Sequence, residues 1–332
     1  GVRTRPGVAT AVVAGIASIP ERSAHLQEVV ASIVDQVDRL YVYLNGYESV
    51  PAYLNSDKIT VYRSDDHGDI ADNGKFFGLR NHRSGVFFAM DDDLVYPQDY
   101  VARMIEALDS IDHAGVVGVH GVFYPTAPSS FLQRKLVHYE AANPHLRPVS
   151  LLGTGTIAFP IELLDLNLEI FETPRMADVW LAKHLKERRI PMFAVARPAN
   201  WLATAELDDP SRTIYAATRA DHSNPTEVIT DQRPWGLEDL LDRVDRASLT
   251  GLLSRKWLTF AEFHRTLRRS GADTAIAGLP PSPSIGDYVA FYCAPPDVLA
   301  VAKSALARKG CDSPLFRRAV KAAQPYDPLE TA

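Results

Sequence analysis

Two spacings of apolar residues alternate along the first two hundred positions. Short continuous apolar runs bounded by turn residues mark buried strands, and apolar positions recurring every three or four residues mark helices between them. Residues 10–17 read as a first strand. Pro20 then opens a helix, with Ser18 as its candidate cap and Leu26, Val29, Val30, Ile33 and Val37 on one face. Residues 40–44 form a second strand, ended by Asn45-Gly46, and residues 59–62 a third. A polar loop at 63–73 precedes a short helix at 76–83 and an apolar strand at 85–90. A helix at 97–108 and a strand at 116–119 follow. Strands separated by helices imply right-handed crossovers and an α/β fold with a mostly parallel sheet.

The pattern is less regular further on. Residues 123–148 carry four prolines and read as a long excursion with a helix or hairpin inside it, of the kind that covers a site on an α/β frame. Gly153-Thr154-Gly155-Thr156 leads into a strand at 157–159, an amphipathic helix spans 179–189, and a late strand lies at 192–195. From residue 234 the character becomes helical, with helices at 237–244, 259–269 and 296–308 and a Pro-rich break at 278–286. The expected organisation is therefore a first domain over 1–233 and a helical C-terminal extension over 234–332.

The strand at 85–90 empties into three carboxylates, Asp91-Asp92-Asp93. Adjacent carboxylates at a strand end repel one another unless a cation sits there, and a hard divalent ion such as Mg²⁺ or Mn²⁺ takes oxygen ligands and bridges to phosphate oxygens. The carboxyl ends of strands are also where open α/β sheets bind ligands. The alternative is that the triplet caps the helix that follows.

Bulk properties narrow the class. The 332 residues are 46% hydrophobic and 23% charged, ordinary for a globular protein, and long enough for one large domain or two. A net charge of −6 argues against a general nucleic-acid binder. Two cysteines, Cys293 and Cys311, are too few for a disulfide framework or a Cys-rich zinc site and fit a reducing compartment, so a cytoplasmic location is expected. The apolar stretch at 9–19 is short of the ~20 residues that span a bilayer and lacks a cleavage-site context, so it reads as a strand and not a signal peptide.

Taken in order, these segments resemble a GT-A glycosyltransferase, in particular the family-2-like enzymes of bacterial capsule and surface-polysaccharide assembly. The matching stretches are Ala17-Ser18-Ile19-Pro20-Glu21-Arg22, Gln36-Val37-Asp38 with Tyr41-Val42-Tyr43-Leu44-Asn45, and Gly68-Asp69-Ile70-Ala71-Asp72-Asn73-Gly74-Lys75-Phe76. Asp91-Asp92-Asp93 looks like the family's DxD motif, and Leu152-Gly153-Thr154-Gly155-Thr156 and Met176-Ala177-Asp178-Val179-Trp180 also look like family elements. The likeness runs over about residues 10 to 205 and leaves the C-terminal extension uncovered.

The resemblance implies a GT-A, Rossmann-like mixed sheet flanked by helices, and transfer of a sugar (a hexosyltransferase-type reaction) from a nucleotide-diphosphate donor to an acceptor hydroxyl. It implies Mn²⁺ or Mg²⁺ held by Asp93, with Asp91 on the metal, its water shell or the ribose, and Asp92 in either role. A third ligand from the C-terminal side would be His222. Ser18, Pro20 and Arg22 would receive the nucleotide, with Arg22 forked onto the diphosphate; an ordinary first helical turn with a solvated Arg22 is the alternative. Asn45 would meet base or ribose, or serve only the Asn-Gly turn. Asp65 and Asp66 stand where a base-recognising carboxylate is common, or are simply solvated. Lys75 suits the donor phosphates and Asp72 would hold Lys75 or the donor; alternatively Asp72 caps a helix and Lys75 points to water. Gly153 and Thr154 would come close to donor or acceptor. Trp180 and Trp201 would stack on a sugar or lie in the core. Asp178 would be the general base of an inverting transfer, or the N-cap of the helix it begins.

The expected partners are a nucleotide-diphosphate sugar and a glycan, lipid-linked or small-molecule acceptor, and no nucleic acid. The extension is the candidate surface for a homo-oligomer or for peripheral contact with the inner face of a membrane, or it supports the core; the sequence does not choose. Two other readings compete. Asp91, Asp93 and Val95 also fit a HAD-like phosphatase, with Asp91 as nucleophile and Asp93 as acid/base, although three strand units precede the motif. A non-catalytic nucleotide-sugar or glycan-binding domain is the other. A nucleotidyltransferase would want a Gly-rich, Arg-containing loop after the first strand, which Ser18-Ile19-Pro20-Glu21-Arg22 matches poorly.

Overall fold

The computed structural model describes residues 10–143, 146–204, 218 and 220–249. The helices expected at 259–269 and 296–308, the break at 278–286 and both cysteines lie outside the described residues. Strand β1 (Val12–Ser18) runs into a 3-10 turn at Pro20–Arg22 and helix α1 (Ser23–Ile33). Leu26, Val29, Val30 and Ile33 are its buried face, the spacing of an amphipathic helix. Ser18 does not cap it: Ser18 belongs to β1, and its hydroxyl lies 3.1 Å from that of Tyr47.

β2 (Arg39–Leu44) and β3 (Ile59–Arg63) follow in parallel with β1, and a short helical turn α2 (Ser64–His67) ends the third unit. The segment expected as a helix at 76–83 is instead a 3-10 run over Ala71–Asn81. It lies directly on the sheet. A Cβ at Gly15 would run into the Lys75 carbonyl, so only glycine lets β1 and this run approach so closely.

β4 (Val86–Met90) is buried along its whole length, as its unbroken apolar run requires of a strand covered on both faces. Phe88 faces α1 and α3 (Tyr100–Asp109), while Phe87 faces Phe76 and Phe159 on the other side of the sheet. A two-residue strand, β5 (Leu94–Val95), separates the Asp triplet from α3.

The remaining sheet strands are β6 (Val116–Gly118), β11 (Thr156–Pro160), β12 (Met192–Ala194) and β9 (Arg147–Val149). The eight-stranded order is β3-β2-β1-β4-β11-β6-β12-β9. β1 to β4 are parallel, as are β6 and β12, but β11 is antiparallel to both its neighbours and β9 is antiparallel to β12. The result is a mixed, mostly parallel Rossmann-like sheet flanked by helices. The excursion at 123–148 contains a hairpin, in which β7 (Gly121–Phe123) pairs with β8 (Lys135–Val137) and with β10 (Leu151–Leu152). From β10 the chain enters β11 at the edge where β4 ends, so β11 runs back along β4.

Helix α5 (Ala177–Glu187) follows the short turn α4 (Ile161–Leu164), and β13 (Ala203–Thr204) pairs with β5. The expected boundary at 233 falls between α6 (Ser223–Asp231) and α7 (Leu237–Arg246). Trp235 is fully buried against Tyr124, and Lys186 of α5 donates to Asp239 at 2.6 Å. Among the described residues, no helix is long and apolar enough to cross a membrane.

Candidate active site at the carboxyl edge of the sheet

The carboxyl ends of β1, β2 and β4 deliver Ser18, Asn45 and Asp91 to one edge of the sheet, with Ile16 opposite Met90 and Ser18 opposite Leu44. β11 begins there, Thr156 opposite Met90, so Gly153–Gly155 lies beside Asp91. Tyr96 ties the two together: its hydroxyl accepts from the Asp91 amide at 2.9 Å and donates to the Gly155 carbonyl at 2.6 Å. A Cβ at Gly155 would overlap the Asp91 carboxylate, so a side chain is admitted there only if that carboxylate moves.

Each carboxylate of the triplet meets a cation. Lys75, whose side chain is 5% exposed, pairs with Asp91, which is 39% exposed. Arg22 donates to Asp92 at 2.7 Å and to Asp93 at 3.1 Å. The triplet does not cap α3, which starts at Tyr100 after Asp99. Lys75 does not point to water, and Arg22 is not merely solvated.

Asp178 completes the cluster. It is the second residue of α5 but does not cap it; the cap position is Met176 and has no side-chain bond. Its Oδ1 instead accepts from the Thr154 amide at 2.7 Å and the Thr154 hydroxyl at 2.6 Å.

Four carboxylates therefore share one edge with two cations, and the electrostatics follow. Burial pushes the Asp93 carboxyl up to about 6, and the Asp91 charge adds to this against the pull of Arg22. Burial raises Asp92, partly offset by Arg22. Burial raises Asp178 too, against the Thr154 hydrogen bonds and Lys75, with Asp91 adding to the rise. Burial works against charge on Lys75, but Asp91, Asp72 and Asp178 outweigh it, and its pKa rises.

The other candidate residues are placed as follows. Asn45 is buried, donates to the Ala71 carbonyl at 3.0 Å, and leaves its Oδ1 buried without a partner. Asp72 accepts from the Arg175 amide at 2.7 Å and caps no helix. Asp65 pairs with Arg63 at 2.5 Å on the exposed α2 turn, beside an exposed Asp66. Pro20 is exposed at the start of its 3-10 turn.

Trp180 and Trp201 are core residues: both rings are buried, and their indole nitrogens donate to the part-exposed Thr173 hydroxyl at 2.9 Å and the exposed Asp99 carboxylate at 3.0 Å. His222 precedes α6 with its Nδ1 3.0 Å from the Thr226 hydroxyl. Among the described residues, no group of three or more His, Cys, Asp or Glu side chains could hold a metal ion, so His222 does not join Asp91 and Asp93. Tyr96 escaped sequence reasoning; its one signal is a tyrosine three residues past the triplet, which a buried core residue would show equally.

The donor set suits a hard divalent cation of the kind bound through one or two carboxylates, with phosphate and water supplying the remaining ligands. The Asp91 charge raises the proton affinity of Asp93, and a cation between the two carboxylates would relieve that repulsion.

No protein-family model matches the chain, and no curated protein does. Among solved structures it is similar to a nucleotidyl transferase from Methanothermobacter thermautotroptrophicus, at 14% identity and a TM-score of 0.39, over 58% of this chain and 88% of that one.

Proposed function

We propose that the protein is a metal-dependent glycosyltransferase that moves a sugar from a nucleotide-diphosphate donor to an acceptor hydroxyl with inversion. The observation that carries this reading is the group of Asp91, Asp93, Lys75, Arg22 and Asp178 at one sheet edge, with the Asp91 backbone held by Tyr96 and its carboxylate seated against Gly155. A diphosphate leaving an oxocarbenium-like centre needs positive charge where its own develops. Lys75 and Arg22 supply two cations there, and Arg22 swings from Asp92 and Asp93 toward the diphosphate as it binds. A divalent ion held by Asp91 and Asp93, when bound, adds Lewis-acid stabilisation of the same charge.

On the opposite face of the sugar, the acceptor oxygen attacks the anomeric carbon as the bond to the diphosphate oxygen breaks. The hydroxyl proton passes to Asp178, whose Oδ1 is held by Thr154 while its Oδ2 remains available. Its raised pKa favours accepting that proton.

The test is a thermal-shift screen of nucleoside diphosphates with and without Mn²⁺ on the wild type, Asp93→Ala and Asp178→Asn. A ligand at ~100 times its Kd stabilises by ~2.7 kcal/mol. The expected result is metal-dependent stabilisation by one base, lost in Asp93→Ala and kept in Asp178→Asn, which no longer transfers sugar. Silence toward every nucleotide, with hydrolysis of p-nitrophenyl phosphate, would replace this reading by the phosphatase one. Retention of configuration in the product would remove Asp178 from the role of base.

A further inference from the structure

A second cluster borders the same edge and is used by nothing above. His120 follows β6, and its carbonyl accepts from the Gly153 amide at 2.9 Å, with Gly153 lying against its ring. The His138 ring stands edge-on to it at 5.5 Å and 85°, and Tyr139 packs on His138 at 4.5 Å. The Tyr139 hydroxyl is 2.7 Å from that of Thr204, in the strand paired beside the Asp triplet, and it feels the Asp93 charge. The three rings thus span from Gly153, next to the Thr154 that holds Asp178, to the neighbourhood of Asp93. All three are part-exposed, and Thr204 is exposed.

The wall is built and not incidental. Arg197 is buried, and its guanidinium donates to the carbonyls of His138 at 2.6 Å, Tyr139 at 3.3 Å and Val195 at 3.1 Å. A buried cation spent on two consecutive loop carbonyls fixes the backbone that carries the rings. The Nδ1 of His120 is buried without a partner, and burial with the neighbouring His138 and arginine charges pushes that imidazole down to about 3, so it is neutral at physiological pH.

We infer that His120, His138, Tyr139 and Thr204 form the acceptor subsite, and that its occupant is a sugar ring of a glycan acceptor. The inference rests on the glycosyltransferase reading and names the substrate class of that site. A sugar presents an apolar C–H face and a hydroxyl edge. This wall presents aromatic faces for the first, and imidazole nitrogens and two hydroxyls for the second. An aliphatic lipid chain would need exposed aliphatic side chains instead. Among the described residues the large exposed ones are Ile19, Val50 and Leu132, none of them in this wall.

The experiment follows the imidazole ¹H–¹³C signals of the full chain during titration with the methyl glycosides of glucose, galactose, mannose and N-acetylglucosamine. A parallel arm measures the thermal shift with nucleoside diphosphates and Mn²⁺. One glycoside should shift the His120 and His138 signals with an affinity reduced at least tenfold in Tyr139→Ala, while the nucleotide response is unchanged. His138→Gln, which keeps a polar group, guards against a folding defect and should weaken binding likewise. A nucleotide response without any glycoside shift, or glycoside shifts that survive both substitutions, would overturn the subsite. Glycoside binding that both substitutions weaken, without a nucleotide response, would overturn the transferase reading and leave the sugar site standing. Silence in both arms would overturn both.

Discussion

Exchanging either partner of the Lys75–Asp91 pair should show an asymmetry that the burial of the two side chains dictates. The Lys75 side chain is 5% exposed and that of Asp91 39%. In Asp91→Asn the ammonium stays buried and loses its partner. Breaking a buried pair this way costs about 3–5 kcal/mol, and the low end applies because Asp72 and Asp178 still face Lys75. In Lys75→Met the buried charge is replaced by an apolar chain of similar length, and Asp91 turns to the water it already contacts. The desolvation cost vanishes with the charge, so the net change should lie within ~1 kcal/mol. Urea denaturation of both variants in EDTA at pH 7.5 measures the difference, which should be ~2 kcal/mol or more in favour of Lys75→Met. Equal losses, or a larger loss for Lys75→Met, would refute the claim that Asp91 is the solvated partner and Lys75 the dependent one.

Asp93→Asn should stabilise the metal-free protein at pH 7.5 by up to ~3 kcal/mol, because the native carboxyl near 6 is ionised there against burial and Asp91, while Arg22 keeps Asp92; a lower Tm in EDTA would contradict this. Gly155→Ala should cost little stability, since the Asp91 carboxylate can rotate away. It should abolish the metal-dependent nucleotide response, which calorimetric titration reads; an intact response would show that Asp91 need not stay where Gly155 admits it. His120 binds its proton about 3 in the native state against ~6.5 unfolded, so its share of stability is present above pH 6.5 and lost as pH falls. Relative to His120→Phe, the wild type should lose ~1 kcal/mol between pH 6.5 and 5.5, measured by denaturation at each pH; a pH-independent difference would mean that His120 titrates normally.

The first strand, α1, β2, β3 and β4 are legible from the chain alone because each packs a local apolar run or stripe onto the core, β3 only in part. The Asp triplet is legible for a related reason: three carboxylates after a buried run carry an electrostatic debt whatever surrounds them. Local sequence could not say that β11 runs antiparallel between β4 and β6, since its apolar run reads the same in either direction. Its direction decides that Gly155 packs on Asp91 and that Thr154 holds Asp178. Nor could it choose between a solvated Lys75 and one paired with Asp91, because these two residues, sixteen positions apart, meet only when the 3-10 run lies across Gly15. Trp180 and Trp201 went to the core for a similar reason, with partners supplied by Thr173 and Asp99. Periodicity and charge are properties of neighbouring residues and are written in the chain. Which cation meets which carboxylate is a property of chain path, and only the packed sheet determines it.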